Sequence, residues 1–442
     1  MTTKINNEHN KLNFSSEREQ SQACLNSAEH EKNQGRKVLN VPNLRFPEFL
    51  GEWEKCILGD ITENFNLRNK DKIQYPMFSV TNDRGFVPQS EQFEGRNMVG
   101  EDIKAYKIIH TNDFAYNPAR INVGSIAMYT GERPCMISSL YVCFKTTKEV
   151  NNEWLMQLLK TPKMNYYYNV NGEGGVRVYL FYPNFARIRM SIPKIEEQKK
   201  IAKLLNLIDE RIATQNKIIE DLKKLKSAIV EKVFCSPNQE YPMCRIEGFE
   251  QALSTYKMSD FSSRIATKNK DSKCSLVLTI AAQYGLVNQE SFFNKSVASD
   301  NLTGYYLLHK GEFAYNRSYS AGYDWGAVKR LDNYDEGVLS TLYICFKINE
   351  TIVDSDYLTY YFESTKWYRG LSDIAGEGAR NHGLLNVSIT DYFNTKHRFP
   401  VIEEQKAIAK ILNAITEKER KATLLGECYQ KQKQYLLRQM FI

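Results

Sequence analysis

The chain has 442 residues, 42% hydrophobic and 25% charged, with a net charge of +7 and a pI near 8.7. This suffices for two or three domains with real cores, and its mild basicity suits a nucleic-acid partner without demanding one. Nine scattered cysteines form no CxxC pair, no apolar run approaches the ~20 residues of a membrane span, and the polar start is no signal peptide, so a zinc centre, a membrane location and secretion are not expected. The odd, unpaired cysteine count fits a reducing cytoplasm. The 27 Tyr and 22 Phe suit either β-rich domains or aromatic contacts beside basic side chains.

Residues 1–40 are polar, hold few large apolar side chains, and read as a disordered or loosely helical extension. From Val41 the chain begins to repeat itself, which decides the fold before any single element does. VPNLRFPEF at 41–49 faces YPMCRIEGF at 241–249, and NKD at 69–71 faces NKD at 269–271. AYKIIHTNDFAYN from Ala105 matches GYYLLHKGEFAYN from Gly304, SLYVCFK from Ser139 matches TLYICFK from Thr341, and GEGG at 172 matches GEGA at 376. The offset drifts from 200 to 207, as loop-length changes in a duplicated domain would produce.

Within the first copy, 41–191, short β-branched and aromatic runs (KIIHTNDFAYN, IAMYT, LYVCFKT) predict strands, and NNEWLMQLLKTPKMNYYY predicts one helix. At 192–236 the stretch IPKIEEQKKIAKLLNLIDERI opens a long helix, with Glu196 and Glu197 placed in its first turn where the helix dipole favours them. A 4-3 register runs through Ile201, Leu205, Ile208, Ile212, Gln215, Ile219, Leu222, Lys226, Ile229 and Val233, which is a coiled-coil seam. The second copy, 237–398, repeats the strand-rich plan, with DSDYLTYYFESTKWYRGL as the partner helix. The closing helix at 399–442 begins FPVIEEQKAIAKILNAITEKE. Its seam holds Ile408, Leu412, Ile415, Ala422, Tyr429, Leu436 and Met440 but is interrupted by Glu419, Gly426 and Lys433, so either the pairing is loose there or those residues face a partner.

The expected fold is α+β: two similar α/β domains joined by two long antiparallel coiled-coil helices with a pseudo-twofold internal repeat. About 40 residues of helix span roughly 60 Å. The alternative is that each helix packs back on its own domain. Two similar heads at a set separation suit a two-part linear target, and double-stranded DNA fits best.

Positions identical in both copies, such as the FAYN and CFK runs, are expected to be scaffold; diverged polar stretches on the same frame are candidates for reading bases. After the first FAYN these include Arg120 and Asn122, with Asn82, Arg84 and Arg177 elsewhere in that copy. In the second copy they are Arg317, Tyr319 and Tyr323, with Gln283, Arg380 and Asn381. Asn117 and Asn316, where the two loops begin, join the set. Arg can bond guanine O6 and N7, and Asn or Gln adenine N6 and N7, in bidentate fashion. Each residue has the competing reading of a solvated loop side chain.

The two IEEQ helix openings, each closing a variable half, and the opening NVPNLRFPEFLGEWE resemble the specificity subunit of type I restriction-modification systems, over about 41–442. The resemblance implies two target-recognition domains reading the halves of a bipartite, asymmetric DNA sequence. It implies helices that set the spacing and dock two modification subunits, which bind S-adenosylmethionine and methylate adenine. Restriction subunits, using ATP and Mg, would translocate and cleave DNA. No cofactor and no catalytic residue are expected in this chain. In keeping with this, Asn117-Pro118-Ala119-Arg120 lacks the second Pro and the aromatic of an aminomethyltransferase motif, and no GxxxxGK[ST] occurs. The alternatives are a self-contained methyltransferase or nuclease, and a coiled-coil adaptor.

Overall fold

The computed structural model describes residues 39–92, 103–174, 178–295, 301–318, 322–374, 380–381, 384–385 and 387–442. The proposed disordered extension lies outside them except at its end. There Asn40 is a folded residue: its carbonyl accepts from the Trp53 amide at 2.8 Å and its side chain donates to the Trp53 carbonyl. The chain divides into two compact units, one comprising residues up to Asn206 with Gln434–Ile442, the other Leu207–Lys433.

The two units repeat one sheet. In the first, the strands Thr62–Phe65, Val142–Thr146, Phe114–Tyr116 and Ile126–Met128 lie side by side in that order, all antiparallel. In the second, Ser262–Ile265, Ile344–Ile348, Phe313–Asn316 and Ala327–Arg330 do the same. The duplicated aromatics sit at matching register. Phe114 stacks on Phe144 at 4.9 Å, Phe313 stacks on Phe346 at 5.4 Å, and all four are buried. KIIHTNDFAYN is two strands in different sheets, because Asp113 bonds back to the His110 amide and turns the chain.

Each predicted helix of about eighteen residues is two. Thr161 caps a new helix, Pro162–Asn171, and Pro162 at its first position has no amide to continue Asn152–Leu159. In the second unit Ser355–Glu363 stops at Ser364, whose buried hydroxyl donates to the Tyr361 carbonyl, before Tyr368–Ser372.

The strand that precedes each long helix pairs with the first strand of its unit: Arg189–Ile192 with Glu54–Ile57, and Lys396–Phe399 with Ser254–Lys257. The helices Ile195–Val233 and Ile402–Gln439 follow at once. Both begin on a buried anchor. Glu197 is 2% exposed and receives both Arg45 Nε and Nη2; Glu404 receives Arg245 in the same way. The following glutamine caps the next helix over. Gln198 Oε1 accepts from the Asn151 amide and Gln405 Oε1 from the Asp354 amide, each at the start of the domain helix. Glu197 is thus a buried ion-pair partner and more than a dipole charge.

Within the second unit the two long helices run antiparallel. Asp209 meets Lys433 at 2.5 Å, and Gln215 Nε2 donates to the Ala422 carbonyl at 3.0 Å. Gln215 and Ala422 are equivalent positions of the repeat, so the local pseudo-dyad passes between them. Ile208, Gln215, Ile415, Ala422 and Gly426 are buried there, while Ile212, Ile219, Leu222, Lys226, Ile229, Val233, Glu419, Tyr429 and Lys433 are half-buried. In the first unit Ile201, Leu205, Leu436 and Met440 are buried, as are Ile408 and Leu412 in the second. Two interruptions of the second seam therefore face the first helix. Gly426 leaves room for Gln215 and Ile219, whose atoms lie 3.5 and 3.8 Å from where its Cβ would be, and Lys433 bonds Asp209. Among the described residues no helix is long and apolar enough to cross a membrane.

Candidate nucleic-acid interface

The sheet's third strand ends at Tyr116 in the first unit and at Asn316 in the second, and a diverged loop leaves from the asparagine of FAYN in both. In the first unit the Asn117 amide donates to the Ser125 carbonyl and closes a loop. Gly124 turns it at φ +97°, in the left-handed region that glycine adopts freely. In the second, Gly326 closes the loop at φ +78°, and a Cβ there would lie 2.1 Å from the Asn316 carbonyl oxygen. Both asparagines are half-buried, and each Oδ1 accepts a loop amide two residues on, from Ala119 and Ser318. They shape the loops and turn their acceptors inward.

The first unit brings several candidates together. Asn82, Asn122, Lys160 and Asn165 line one cleft of about 470 Å³, floored by Ile121, Ile126, Leu159 and Tyr168. Asn122 donates to Asn169 at 3.0 Å. Arg120 is exposed on the same loop, and Arg84 is exposed on the neighbouring hairpin turn, 3.7 Å from Glu91. Arg177 lies outside the described residues, but the segment after it is anchored: the Leu180 amide donates to the Pro118 carbonyl. That bond sets Tyr179 and Phe181, both exposed and stacked at 6.3 Å, beside the loop.

The second unit uses its candidates differently. Arg317 is half-buried, with Nη1 donating to the Val387 carbonyl and Nη2 to that of Leu342. It ties the loop down. Tyr323 is half-buried, its ring under the Lys329 ammonium at 5.2 Å, and desolvation raises its pKa. Gln283 is exposed at the turn between Leu278–Ala281 and Gly285–Asn288, beside exposed Tyr284, which leans on Phe292. Arg380 and Asn381 form a short strand paired with Leu384–Leu385, and the Leu385 amide donates to the Arg317 carbonyl. Tyr319 lies outside the described residues.

Sequence reasoning did not single out Lys160, Asn165 and Asn169, which face the first loop, or Tyr179 and Phe181. The signal was present in NYYYNVN, a helical stretch without an apolar stripe. Among the described residues no cluster of three or more His, Cys, Asp or Glu is arranged to hold a metal.

Residues 51–224 match the family model of the type I restriction modification DNA specificity domain. The protein of Methanocaldococcus jannaschii named as the MjaX type I restriction enzyme specificity subunit is 22% identical over 408 residues, 86% of this chain and 91% of that one. The MjaVIII type I restriction enzyme specificity subunit of the same organism is 27% identical over 196 residues, 43% of each chain. The crystal structure of the type I restriction-modification S subunit from M. genitalium shares the fold, with a TM-score of 0.53 at 13% identity over 91% of this chain and 99% of that one. A specificity-domain match over residues 51–224, a relative alignable over most of both chains and a shared fold agree: this chain is similar to the type I restriction-modification specificity subunits.

Proposed function

We propose that this chain is the DNA-recognition subunit of a type I restriction-modification complex, in which each unit reads one half of a bipartite, asymmetric target. The observation that carries this is one sheet built twice around two different polar loops, 117–125 and 316–326. A shared frame gives both loops the same presentation, and their different residues give each a different half-site. Arg120 and the amides of Asn82 and Asn122 are the groups of the first unit suited to base edges, and Gln283 is such a group in the second.

The paired helices act as the spacer between half-sites. Their outer faces carry exposed Leu207, Ile218, Leu225, Leu424 and Leu425, an apolar surface that suits docking of two modification subunits. Methyl transfer from S-adenosylmethionine to adenine belongs to those subunits, and ATP- and Mg-dependent cleavage to restriction subunits. This chain contributes recognition and spacing.

The test replaces residues 45–190 with the corresponding domain of another specificity subunit and sequences the methylated motif in cells that also express the modification subunit. One half-site should change while the other half and the gap stay. Alteration of both halves would overturn modular reading.

A further inference from the structure

Beneath the second recognition loop lies a charge network. Lys329, on the strand Ala327–Arg330, has a side chain only 10% exposed. Its ammonium lies 5.2 Å from the centre of the Tyr323 ring and 3.9 Å from Glu363. Glu363 closes the helix Ser355–Glu363, and its other oxygen lies 3.4 Å from Lys226 of the central helix. Lys226 also sits over the Tyr360 ring at 5.1 Å, and the Tyr360 hydroxyl bonds Asn413 and Thr416 of the C-terminal helix.

The matching positions of the repeat carry other residues or other partners. Strand register puts Ala127 where Lys329 stands, since Ala115 faces Ala127 as Ala314 faces Lys329. Counting from the helix caps Asn151 and Asp354 puts Lys160 where Glu363 stands. Lys433, the counterpart of Lys226, bonds the other helix instead.

A buried ammonium is costly unless the site supplies compensating partners. Here the compensation comes from one ring of the recognition loop and one carboxylate. That carboxylate is shared with the spacer helix. Burial lowers the Lys329 pKa, in keeping with a site held together by these few contacts.

We propose that Lys329 and Glu363 are positioning residues for sequence readout by the second unit: Lys329 holds the Tyr323 end of the loop, and Glu363 ties Lys329 to Lys226 of the central helix. Neither residue touches DNA. The inference rests on the DNA-recognition reading above and deepens it, because it names groups that set one half-site from below.

The experiment compares methylated motifs in cells expressing the modification subunit with wild-type chain, Lys329→Met, Lys329→Arg or Glu363→Gln. Lys329→Met should lose roughly tenfold discrimination at one or two positions of the second half-site, with the first half and the gap unchanged. Glu363→Gln should affect the same positions, and Lys329→Arg should restore most of the preference. Wild-type motifs from both Lys329→Met and Glu363→Gln would overturn the proposal, as would equal degradation of both halves. If Lys329→Met does not accumulate as folded protein, Glu363→Gln decides, because its side chain is 32% exposed and the amide is nearly isosteric. A wild-type chain that directs no bipartite methylation would overturn the DNA-recognition assignment itself.

Discussion

Arg45 grips Glu197 through two parallel bonds of 2.8 Å, and Arg245 grips Glu404 in the same way in the second unit. The carboxylates are 2% exposed and the arginine side chains 16%. Each pair fastens the start of a long helix to the segment that opens its domain. Trp53 Nε1 adds a third donor to Glu197 at 3.2 Å.

Removing one partner would strand a buried charge. Arg45→Ala should therefore destabilise the first unit by about 3 kcal/mol. Arg45→Ala with Glu197→Ala together should cost less than the sum of the single changes, because neither mutation then leaves an uncompensated partner. Urea unfolding of the three variants checks this, and strict additivity would mean the pair is not coupled.

Gly426 should be replaceable with profit. Its Cβ would meet Gln215 and Ile219 at ordinary contact distance, and it lies inside a helix. Gly426→Ala should stabilise by about 0.5–1 kcal/mol, the usual helix-propensity difference. Gly426→Leu should destabilise by separating the helices. Thermal melts of the two variants give the signs.

His397 gives the second unit an acid-sensitive core. The Thr395 hydroxyl donates to the Tyr392 carbonyl, so His397 Nε2–H donates to Thr395 Oγ1 at 2.8 Å, and Nδ1 accepts from the Tyr361 hydroxyl at 3.1 Å. The ring is held neutral, and burial pushes its pKa down to about 3. The unfolded chain takes up a proton near pH 6.5 while the folded one does not. Stability from this group is complete above about pH 6.5 and falls by about 1.4 kcal/mol per pH unit down to about pH 3. His397→Gln should flatten that slope. Denaturation at pH 7 and pH 5 measures it, and an unchanged slope would place the sensitivity elsewhere.

Arg120 and Arg317 should separate cleanly despite their parallel origin. Arg120 is exposed, and Arg120→Ala should relax one base position of the first half-site by about 1–3 kcal/mol with stability unchanged. Arg317 is bonded to two carbonyls, so Arg317→Ala should lower the melting temperature and disturb the second half-site broadly. Methylated-motif sequencing beside thermal melts distinguishes them. A uniform loss of binding for Arg120→Ala would mark a phosphate contact instead.

The helix pair predicts a spacing rule. A heptad added to both helices, between 209 and 215 and between 426 and 433, keeps Asp209 opposite Lys433 and Gln215 opposite Ala422. Seven residues add about 10 Å, or about three base pairs of gap. A heptad in one helix alone should break the register and lower stability. An unchanged gap with both insertions would mean the helices do not set it.

The amino-acid sequence by itself determined the duplication, the strand-rich units and the two long helices with their seams. Those features are periodic or repeated, and periodicity survives without knowledge of distant contacts. The loops that follow FAYN were also legible, because divergence on a conserved frame stands out within one chain. Only the tertiary structure decided what each polar side chain does. Arg317 and Arg120 look alike in sequence, yet one spends its donors on Val387 and Leu342 and the other is exposed. The second glutamate of each IEEQ is buried against an arginine about 150 residues away, and the seam glycine and lysine are matched by residues of the other helix. Such roles depend on which groups folding brings together and removes from water, and local sequence carries no record of either.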